Sequence, residues 1–183
     1  MNYFLTKPTL LKMKVLKFMG LAIVVMVSIA VVGITIESDV HVERTITIEA
    51  KTKKILKHLI DFRKFNAWSA WIEYDSNCKC SYSEKRAIVG ATYKWKGNEE
   101  VGVGSMAIIE ISRTKVAMDL IYTEPWQSES VVYDRLDDGE NGIDVTWDYN
   151  GKIPMLRVLF IDIDTLIGSD YEKGLRSLKE ILE

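Results

Sequence analysis

The fold of this chain is decided by residues 154–183, PMLRVLFIDIDTLIGSDYEKGLRSLKEILE, at its C-terminal end. Apolar residues recur there every three or four positions, which predicts a helix with one apolar stripe. The stripe consists of Leu156, Leu159, Ile163, Ile167, Tyr171, Leu175, Leu178 and Leu182. Ser169, followed three residues later by Glu172, has the pattern of a capping box. We therefore expect a first segment over 154–166, a break at Gly168, and a helix that restarts beyond it.

The middle of the chain predicts a sheet for this helix to pack on, because apolar and polar residues alternate there. The inward sets are Val40, Val42, Ile46 and Ile48; Ala91, Tyr93 and Trp95; Val116, Met118, Leu120 and Tyr122; and Ile143, Val145, Trp147 and Tyr149. Gly97-Asn98 predicts a tight hairpin turn. The strand that returns from this turn is marked by Val101, Val103, Ser105, Ala107, Ile109 and Ile111, with Gly102 and Gly104 on its other face.

Two further segments complete the order of elements. Residues 51–65 have the spacing of a helix. Residues 127–136 form a strand whose inward face the pattern does not assign, and residues 137–142 are a turn cluster. The order is strand, helix, about six antiparallel strands and a long helix, which predicts an α+β fold with about seven strands rather than a parallel sheet. The length of 183 residues fits one domain, which we place at 40–183, plus an appendage.

The appendage is an apolar N-terminal segment. Residues 18–36 carry no charge, and a helix of that length reaches roughly 28 Å, close to the thickness of the hydrocarbon core. Eleven of them are Phe, Leu, Ile or Val, which favours insertion by roughly 3 to 6 kcal/mol. We predict a transmembrane helix at 18–36 after a basic N-terminus at 1–17. The alternatives are a cleaved signal peptide, for which the run is long and lacks an Ala-x-Ala site, and a buried core helix.

Charge predicts the orientation and excludes one class of partner. Lys7, Lys12, Lys14 and Lys17 are the only charged residues before Glu37. Positive flanks stay in the cytoplasm, so we expect a single-pass protein with a cytoplasmic N-terminus and an extracytoplasmic domain. The chain carries −2 and these lysines supply +4, which leaves −6 for the remainder. Nucleic acid needs a clustered positive surface, so it is not an expected partner.

The candidate metal and redox residues are few. Cys78 and Cys80 lie where disulfides can form; a mutual bridge would be strained, so that bridge and two free or intermolecular thiols both stay open. A metal site would need His41 or His58 beside them, and the sequence has no second cysteine pair, so we predict no metal and no cofactor. Arg44 falls on the buried face of the first strand, either with its head in water or as a charge at a cavity mouth.

Several motifs together point to a known family. They are Trp68-Ser69-Ala70-Trp71, Tyr93 to Asn98 followed by Val101 to Gly104, Val145-Thr146-Trp147, and Ile167 to Leu175 with Leu178-Lys179. In this order they resemble the START-like superfamily with the helix-grip fold, of the polyketide cyclase/dehydrase type of SRPBCC protein, over about residues 42–183. The family often has Pro where this chain has Ala70. The resemblance implies a curved antiparallel sheet around the C-terminal helix and a cavity between them for an apolar small molecule.

The leading functional hypothesis is a membrane-anchored domain that binds a hydrophobic small molecule or lipid, with the bilayer as a second partner through residues 18–36. The predicted ligand-binding residues are Tyr93, Trp95, Met118, Tyr122, Trp147 and Tyr149, with Trp68 and Trp71 near the entrance. Trp68 and Trp71, three residues apart, would share one side of a helical turn, where they could wall a pocket or cap a core.

Two other functions stay open. An enzyme of the cyclase/dehydrase kind needs an acid or base, and the predicted cavity offers only Tyr93, Tyr122, Tyr149, Ser105 and Arg44, so no catalytic residue is assigned. The resemblance itself implies no shared catalytic set, because residues that catalyse in some members vary. An interaction module with a filled core is the third hypothesis, and a pocket smaller than the few hundred cubic ångströms of ligand sites would favour it.

Overall fold

The computed structural model describes residues 7–125 and 127–183. Its helices are α1 (Lys7–Thr35), α2 (Thr52–Leu59), α3 (Phe62–Phe65), α4 (Trp71–Tyr74), α5 (Met155–Val158) and α6 (Ile163–Leu182). Its strands are β1 (Glu37–Ile48), β2 (Lys79–Tyr82), β3 (Thr92–Lys96), β4 (Val103–Ile111), β5 (Lys115–Glu124), β6 (Ser128–Gly139) and β7 (Gly142–Pro154). The α+β class predicted from the sequence is confirmed.

The seven strands form one curved antiparallel sheet in the order β1-β7-β6-β5-β4-β3-β2. From β2 to β7 each strand pairs with its neighbour in the chain, because short connections favour antiparallel hairpins. β1 joins at the far edge beside β7, which leaves β1 and β2 as the edge strands. The predicted number of strands and their antiparallel arrangement are confirmed.

The core lies between the inner face of this sheet and α6. The helix buries Tyr171, Leu175, Leu178 and Leu182, four members of the predicted stripe. A fully buried leucine side chain contributes about 1.5–3 kcal/mol, so this face alone holds the helix to the sheet. Contact is close at Gly174, where a Cβ would lie 3.0 Å from Cζ3 of Trp147.

The turn after β3 is longer than predicted. Residues 97–102 form a loop closed by two hydrogen bonds: Gly97 N–H donates to the Gly102 carbonyl at 2.8 Å, and Gly102 N–H donates to the Asn98 carbonyl at 2.7 Å. The prediction of a two-residue turn at Gly97-Asn98 was wrong. Val101 belongs to this loop rather than to the strand, and it is buried there.

The longer loop also reverses the predicted inward face of β4. Gly104 and Met106 pair with Trp95 and Tyr93, so these residues share the inner face, while Ser105 pairs with Lys94 on the outer one. Assigning Ser105 to the cavity was therefore wrong. The pattern misled because glycine occupies an inward position: a Cβ on Gly104 would lie 2.4 Å from Cζ2 of Trp95.

Three element boundaries also differ from the prediction. The helix expected at 51–65 is split into α2 and α3, because the Asp61 carboxylate accepts a hydrogen bond from Arg63 N–H at 3.2 Å and caps a new turn. β6 extends to Gly139 and so includes half of the predicted turn cluster. Trp68 lies outside any helix, and α4 begins only at Trp71.

The C-terminal helix breaks earlier than predicted. Asp162 caps α6, accepting hydrogen bonds from Thr165 N–H at 3.1 Å and from its hydroxyl at 2.7 Å. The helix then runs through Gly168 without interruption, and the Ser169 hydroxyl donates to the Leu166 carbonyl at 3.0 Å instead of capping. The predicted break at Gly168 was wrong. Leu156 and Leu159 precede α6 and lie outside its buried stripe.

The chain divides into two compact units, Met1–Ser38 with Pro154–Phe160 and Asp39–Ile153 with Ile161–Glu183. In the first unit, the stretch Lys12–Thr35 of α1 has a mean hydropathy of 2.6, with none of its residues buried inside the protein. It is long and apolar enough to cross a membrane, although a signal sequence has the same properties. Residues 1–6 of the predicted basic N-terminus lie outside the described residues.

Candidate functional site

Trp147 on β7 is the centre of an aromatic cluster between the sheet and α6. Its ring stacks on Tyr171 of α6, with centroids 4.0 Å apart and planes 5° from parallel. Trp68 and Trp71 meet its edge at 5.0 and 5.5 Å, and Phe65 of α3 meets it at 5.9 Å. The residues between α3 and α4 and the start of α6 are thus joined to the sheet through one indole ring.

A second row of aromatic rings runs across β2, β3 and β5. Tyr93 stacks on Trp95 and on Tyr82, in both cases with centroids 5.4 Å apart, and packs on Phe62 at 5.8 Å. Trp95 meets Tyr122 edge to face at 5.3 Å. Burial raises the pKa of Tyr122 to about 12 and raises that of Tyr93 further, so both phenols stay neutral near pH 7.

A pocket lies between these two rows. It is lined by Phe65, Asn66, Ser69, Trp71, Ile72, Cys78, Tyr93, Trp95, Val101, Met106, Leu120, Tyr122, Val132, Trp147 and Tyr171. The space open to the centres of water molecules is about 40 Å³. Ligand sites measure roughly 300–1,000 Å³, so the side chains nearly fill this pocket. By volume alone, the pocket favours the third hypothesis, a filled core, for the protein without a ligand.

The structure brings together five of the eight predicted ligand-binding residues. Trp71, Tyr93, Trp95, Tyr122 and Trp147 line the pocket. Trp68, Met118 and Tyr149 are buried in the surrounding core and are not part of its lining. Trp68 supports the pocket indirectly, through its edge contact with Trp147.

Two thiols stand at one side of the pocket. The Sγ atoms of Cys78 and Cys80 are 3.8 Å apart, and both cysteines are free. Cys80 Sγ also lies 3.3 Å from the Tyr93 hydroxyl and 3.6 Å from Nδ2 of Asn66, which donates to it. Burial and then the hydrogen bond from Cys80 raise the pKa of the Cys78 thiol to about 11. The histidines needed for a metal site are elsewhere, with His41 on β1 at the opposite edge of the sheet.

A buried carboxyl group lies next to the pocket on β6. Asp134 is only 2% exposed and follows Val132, a lining residue, on the same face of the strand. Its partner across the strand pair is Trp147. Burial raises the pKa of Asp134 to about 8. Burial, followed by the nearby Asp134, raises the pKa of Tyr171.

The indole N–H groups of two tryptophans add to this buried polarity. Across the described part of the chain, Nε1 of Trp68 and Nε1 of Trp147 are the buried side-chain nitrogen or oxygen atoms without a hydrogen-bond partner. Unpaired buried donors are uncommon and each costs about 1–3 kcal/mol. The region around Trp147 therefore offers polar groups that the protein itself does not satisfy.

Arg44 is partly exposed to solvent, and it does not line the pocket beside Trp147. Its guanidinium lies across α6, where it pairs with Asp164 and Glu172, each at 2.9 Å. The close fit requires Gly168, because a Cβ there would lie 2.1 Å from Nη2 of Arg44. Arg44 is thus a structural link between β1 and α6.

One group of potential metal ligands lies on the outer side of the sheet. Ligand atoms of His41, Glu43 and Asp148 lie within 4.8 Å of one another. The Arg135 guanidinium already bridges this group, donating to Glu43 at 2.6 Å and to Asp148. Because that cation neutralises both carboxylates, the arrangement is satisfied as an ion-pair network.

A wider groove of about 600 Å³ opens to solvent along β1, β5, β6 and β7. It is lined by Asp39, Val40, His41, Asp119, Ile121, Glu129, Ser130, Val131, Asn150, Gly151 and Lys152. Its walls are shallow and mixed in polarity, whereas ligand sites are concave and mostly apolar. The smaller pocket beside Trp147 fits that description better.

Sequence reasoning missed three residues in or beside the pocket. Tyr171 was recognised as part of the apolar stripe but not as lining, and Met106 was placed on the wrong face of β4. Asp134 was missed because Val131 and Tyr133 on one face of β6 look as suitable for burial as Val132 on the other. Residues on both faces of β6 alternate regularly in the sequence. Only the packing of the sheet shows that the face with Val132 and Asp134 is the buried one.

Comparisons with known proteins show the fold. No protein-family model matches the chain, and no curated protein matches its sequence. Among solved structures, the KanY protein is 14% identical with a TM-score of 0.59 and covers 79% of this chain and 98% of its own. The Aha1 dimer from Colwellia psychrerythraea is 22% identical with a TM-score of 0.57, covering 79% and 96%. The di-domain ARO/CYC StfQ from the steffimycin biosynthetic pathway is 11% identical with a TM-score of 0.58, covering 79% and 50%.

At these identities the likeness concerns the fold alone. The seven-stranded curved sheet, α6 and these structural neighbours together define a helix-grip-like α+β protein.

Proposed function

We propose that this chain is a membrane-tethered binding domain of the START-like type, which takes an apolar small molecule or lipid between its sheet and α6. The observation that carries the proposal is the lining of the pocket beside Trp147, which is mostly aromatic and aliphatic. Such a surface gains free energy by excluding water from an apolar ligand, roughly 25 cal/mol per Å². Neutral phenols at Tyr93 and Tyr122 supply the few polar groups that orient such a ligand.

The wall that must move for a ligand to enter is α4. This helix has no buried residue, and Ile72, one of its lining residues, is 36% exposed. Displacing it outward breaks the ring contact of Trp71 with Trp147 and the hydrogen bond from the Tyr74 hydroxyl to Asp170, but it leaves the sheet and the buried stripe of α6 in place. A closed pocket of about 40 Å³ is the ligand-free form in this proposal.

Binding is tested with a dibrominated fatty acid, whose bromine atoms quench tryptophan fluorescence and whose mass is distinctive. The full chain in lipid nanodiscs is titrated, and native mass spectrometry counts the molecules bound. Met106→Phe fills the pocket, and the matched control Ile109→Phe adds the same ring at an exposed position on β4. We expect saturable 1:1 binding, weakened at least about tenfold in Met106→Phe alone. Equal behaviour of the three proteins, or no saturable binding, would leave the filled core as the better description.

The tether rests on α1, whose stretch Lys12–Thr35 is apolar, and on the lysines that precede it. We expect intact mass analysis to recover residues 1–36, and the chain to stay with membranes after alkaline washing. A reporter fused after Glu183 should be active outside the cytoplasm. A mature chain that begins near Val40 would instead identify a signal peptide.

A second candidate, acid–base catalysis of the cyclase or dehydrase kind, is favoured by one observation. Asp134 is a buried carboxyl group that stays protonated near neutral pH, as a general acid must. The ARO/CYC label of StfQ is compatible with such chemistry. The test is loss of water from an aromatic β-hydroxyketone, with Asp134→Asn expected to abolish turnover while binding of the brominated fatty acid is retained. Equal rates in the two proteins, or none in either, reject catalysis.

A further inference from the structure

The segment between β7 and α6 exposes large apolar side chains. Residues 154–160 include the single turn α5, in which no residue is buried. Met155 is 44% exposed, Leu159 67% and Phe160 81%. A soluble surface exposes single apolar residues routinely, but three within six positions on a connection between two core elements form a patch that needs a partner.

The same segment packs on the end of α1. Met155 N–H donates to the Ile36 carbonyl at 2.8 Å, directly after the last turn of that helix. Leu156 lies against Gly33, with its Cβ and Cδ1 3.4 Å from the position of a Cβ on that glycine. The segment consequently belongs to the same compact unit as the apolar helix and not to the unit that holds the sheet.

We propose that residues 154–160 are a second membrane contact, which lies in the interface of the bilayer where α1 leaves it. The proposal rests on the tether described under the proposed function. Its occupant is lipid because the patch continues the apolar surface of Lys12–Thr35, in which no residue is buried, and that surface ends beside Leu156. A short apolar turn beside a spanning helix enters the boundary between headgroups and acyl chains.

The test places an environment-sensitive NBD label on single cysteines of the full chain in nanodiscs, in a Cys78→Ser, Cys80→Ser background. Labels at position 160 and at position 25 within α1 are compared with one at position 88, where Ile88 is 52% exposed in the loop before β3. We expect a blue-shifted label at 160 that a shallow spin-labelled lipid quenches at least about twice as strongly as at 88. A deep quencher should act on 25 more than on 160.

Each of the other outcomes overturns the proposal and shows which part of it fails. If 25 is quenched while 160 behaves like 88, the second contact is absent and the tether stands. If 25 is not quenched either, the tether itself fails. If the blue shift at 160 persists without lipid quenching and disappears when the nanodiscs hold one chain each, a second copy covers the patch.

A charge variant gives an independent measurement. With the label at 159, Phe160→Asp should abolish the blue shift, while the conservative Phe160→Leu should keep it. Both substitutions occur at an exposed position, so circular dichroism should be unchanged. Equal spectra for the two variants would overturn the proposal.

Discussion

Asp134→Asn should make the protein more stable, by an amount that depends on pH. Burial raises the pKa of Asp134 from 3.8 to about 8 in the folded state. Below about pH 3 the carboxyl group is mostly protonated in both states. As the pH rises, the unfolded chain ionises first while the folded chain keeps its proton, so stability falls until about pH 8 and is constant beyond it.

The magnitude follows from the two pKa values. The difference between 3.8 and about 8 corresponds to about 6 kcal/mol above pH 8 and about 4 kcal/mol at pH 7. Asparagine has nearly the shape and polarity of the protonated acid but cannot ionise. The variant should therefore match the wild type near pH 3 and exceed it by at least about 3 kcal/mol at pH 9, since partial water entry reduces the full value.

The assay is urea denaturation of the full chain in a non-ionic detergent, followed by tryptophan fluorescence at pH 3, 5, 7 and 9. Subtracting the wild-type free energy of unfolding cancels all other titrating groups. Asp138→Asn, an exposed aspartate on the same strand, is the matched control and should change stability by less than about 0.5 kcal/mol. A difference between Asp134→Asn and wild type that is the same at pH 5 and pH 9 would refute the reasoning, because the carboxyl group would then not be buried as a neutral acid.

Three further predictions concern close packing and thiol chemistry. Gly168→Ala places a Cβ 2.1 Å from Nη2 of Arg44, so the guanidinium must move and its ion pairs weaken; the substitution should stabilise by about 1 kcal/mol in an Arg44→Met background, where only helix propensity remains, and by less in the wild type. Gly104→Ala places a Cβ 2.4 Å from Cζ2 of Trp95 and should cost about 1–3 kcal/mol, measured by urea denaturation. In a Cys80→Ser variant, Cys78 should react with iodoacetamide more slowly than free cysteine at pH 8 and faster as the pH rises, measured by intact mass, because burial, the largest cause of its raised pKa, remains and only the thiolate reacts.

Each of these has a clear contrary result. An equal effect of Gly168→Ala in the two backgrounds would show that the guanidinium is not the obstacle. Gly104→Ala is compared with Gly20→Ala, where nothing lies within 4 Å, and equal effects would contradict the packing on Trp95. For Cys78, a rate at pH 8 equal to that of free cysteine would show an accessible thiol.

Most of the fold could be predicted from local patterns. Strand alternation places Tyr93, Trp95, Met118 and Trp147 on the inner face correctly, because a one-residue shift would move a whole strand's apolar set into water. The stripe through Tyr171 and the leucines likewise fixes the buried face of α6. These assignments hold because burial of apolar area is the dominant favourable contribution to the free energy of folding. The spacing of apolar residues along the sequence shows which face of a strand or helix is buried.

Two of the errors occur where a glycine or a cap overrides the pattern. Gly104 occupies an inward position because the Trp95 ring leaves no room for a Cβ, so counting apolar residues selected the opposite face of β4. Asp162 caps the start of α6, although Ser169 and Glu172 have the better capping sequence. Which of two possible caps is used depends on the length of chain that must connect β7 to the sheet-facing helix.

By itself, the sequence determined the α+β class, the seven strands, the helix that the sheet packs on, and the presence of an apolar N-terminal segment. All of these follow from periodicity and composition, which are local properties. Only the tertiary structure decided that the aromatic side chains nearly fill the pocket, that Asp134 is buried beside it, and that Leu156 packs on Gly33. The volume of a pocket, the desolvation of a buried group and the contacts between distant segments depend on which surfaces pack together. The periodicity of the sequence is a local property and does not specify that packing.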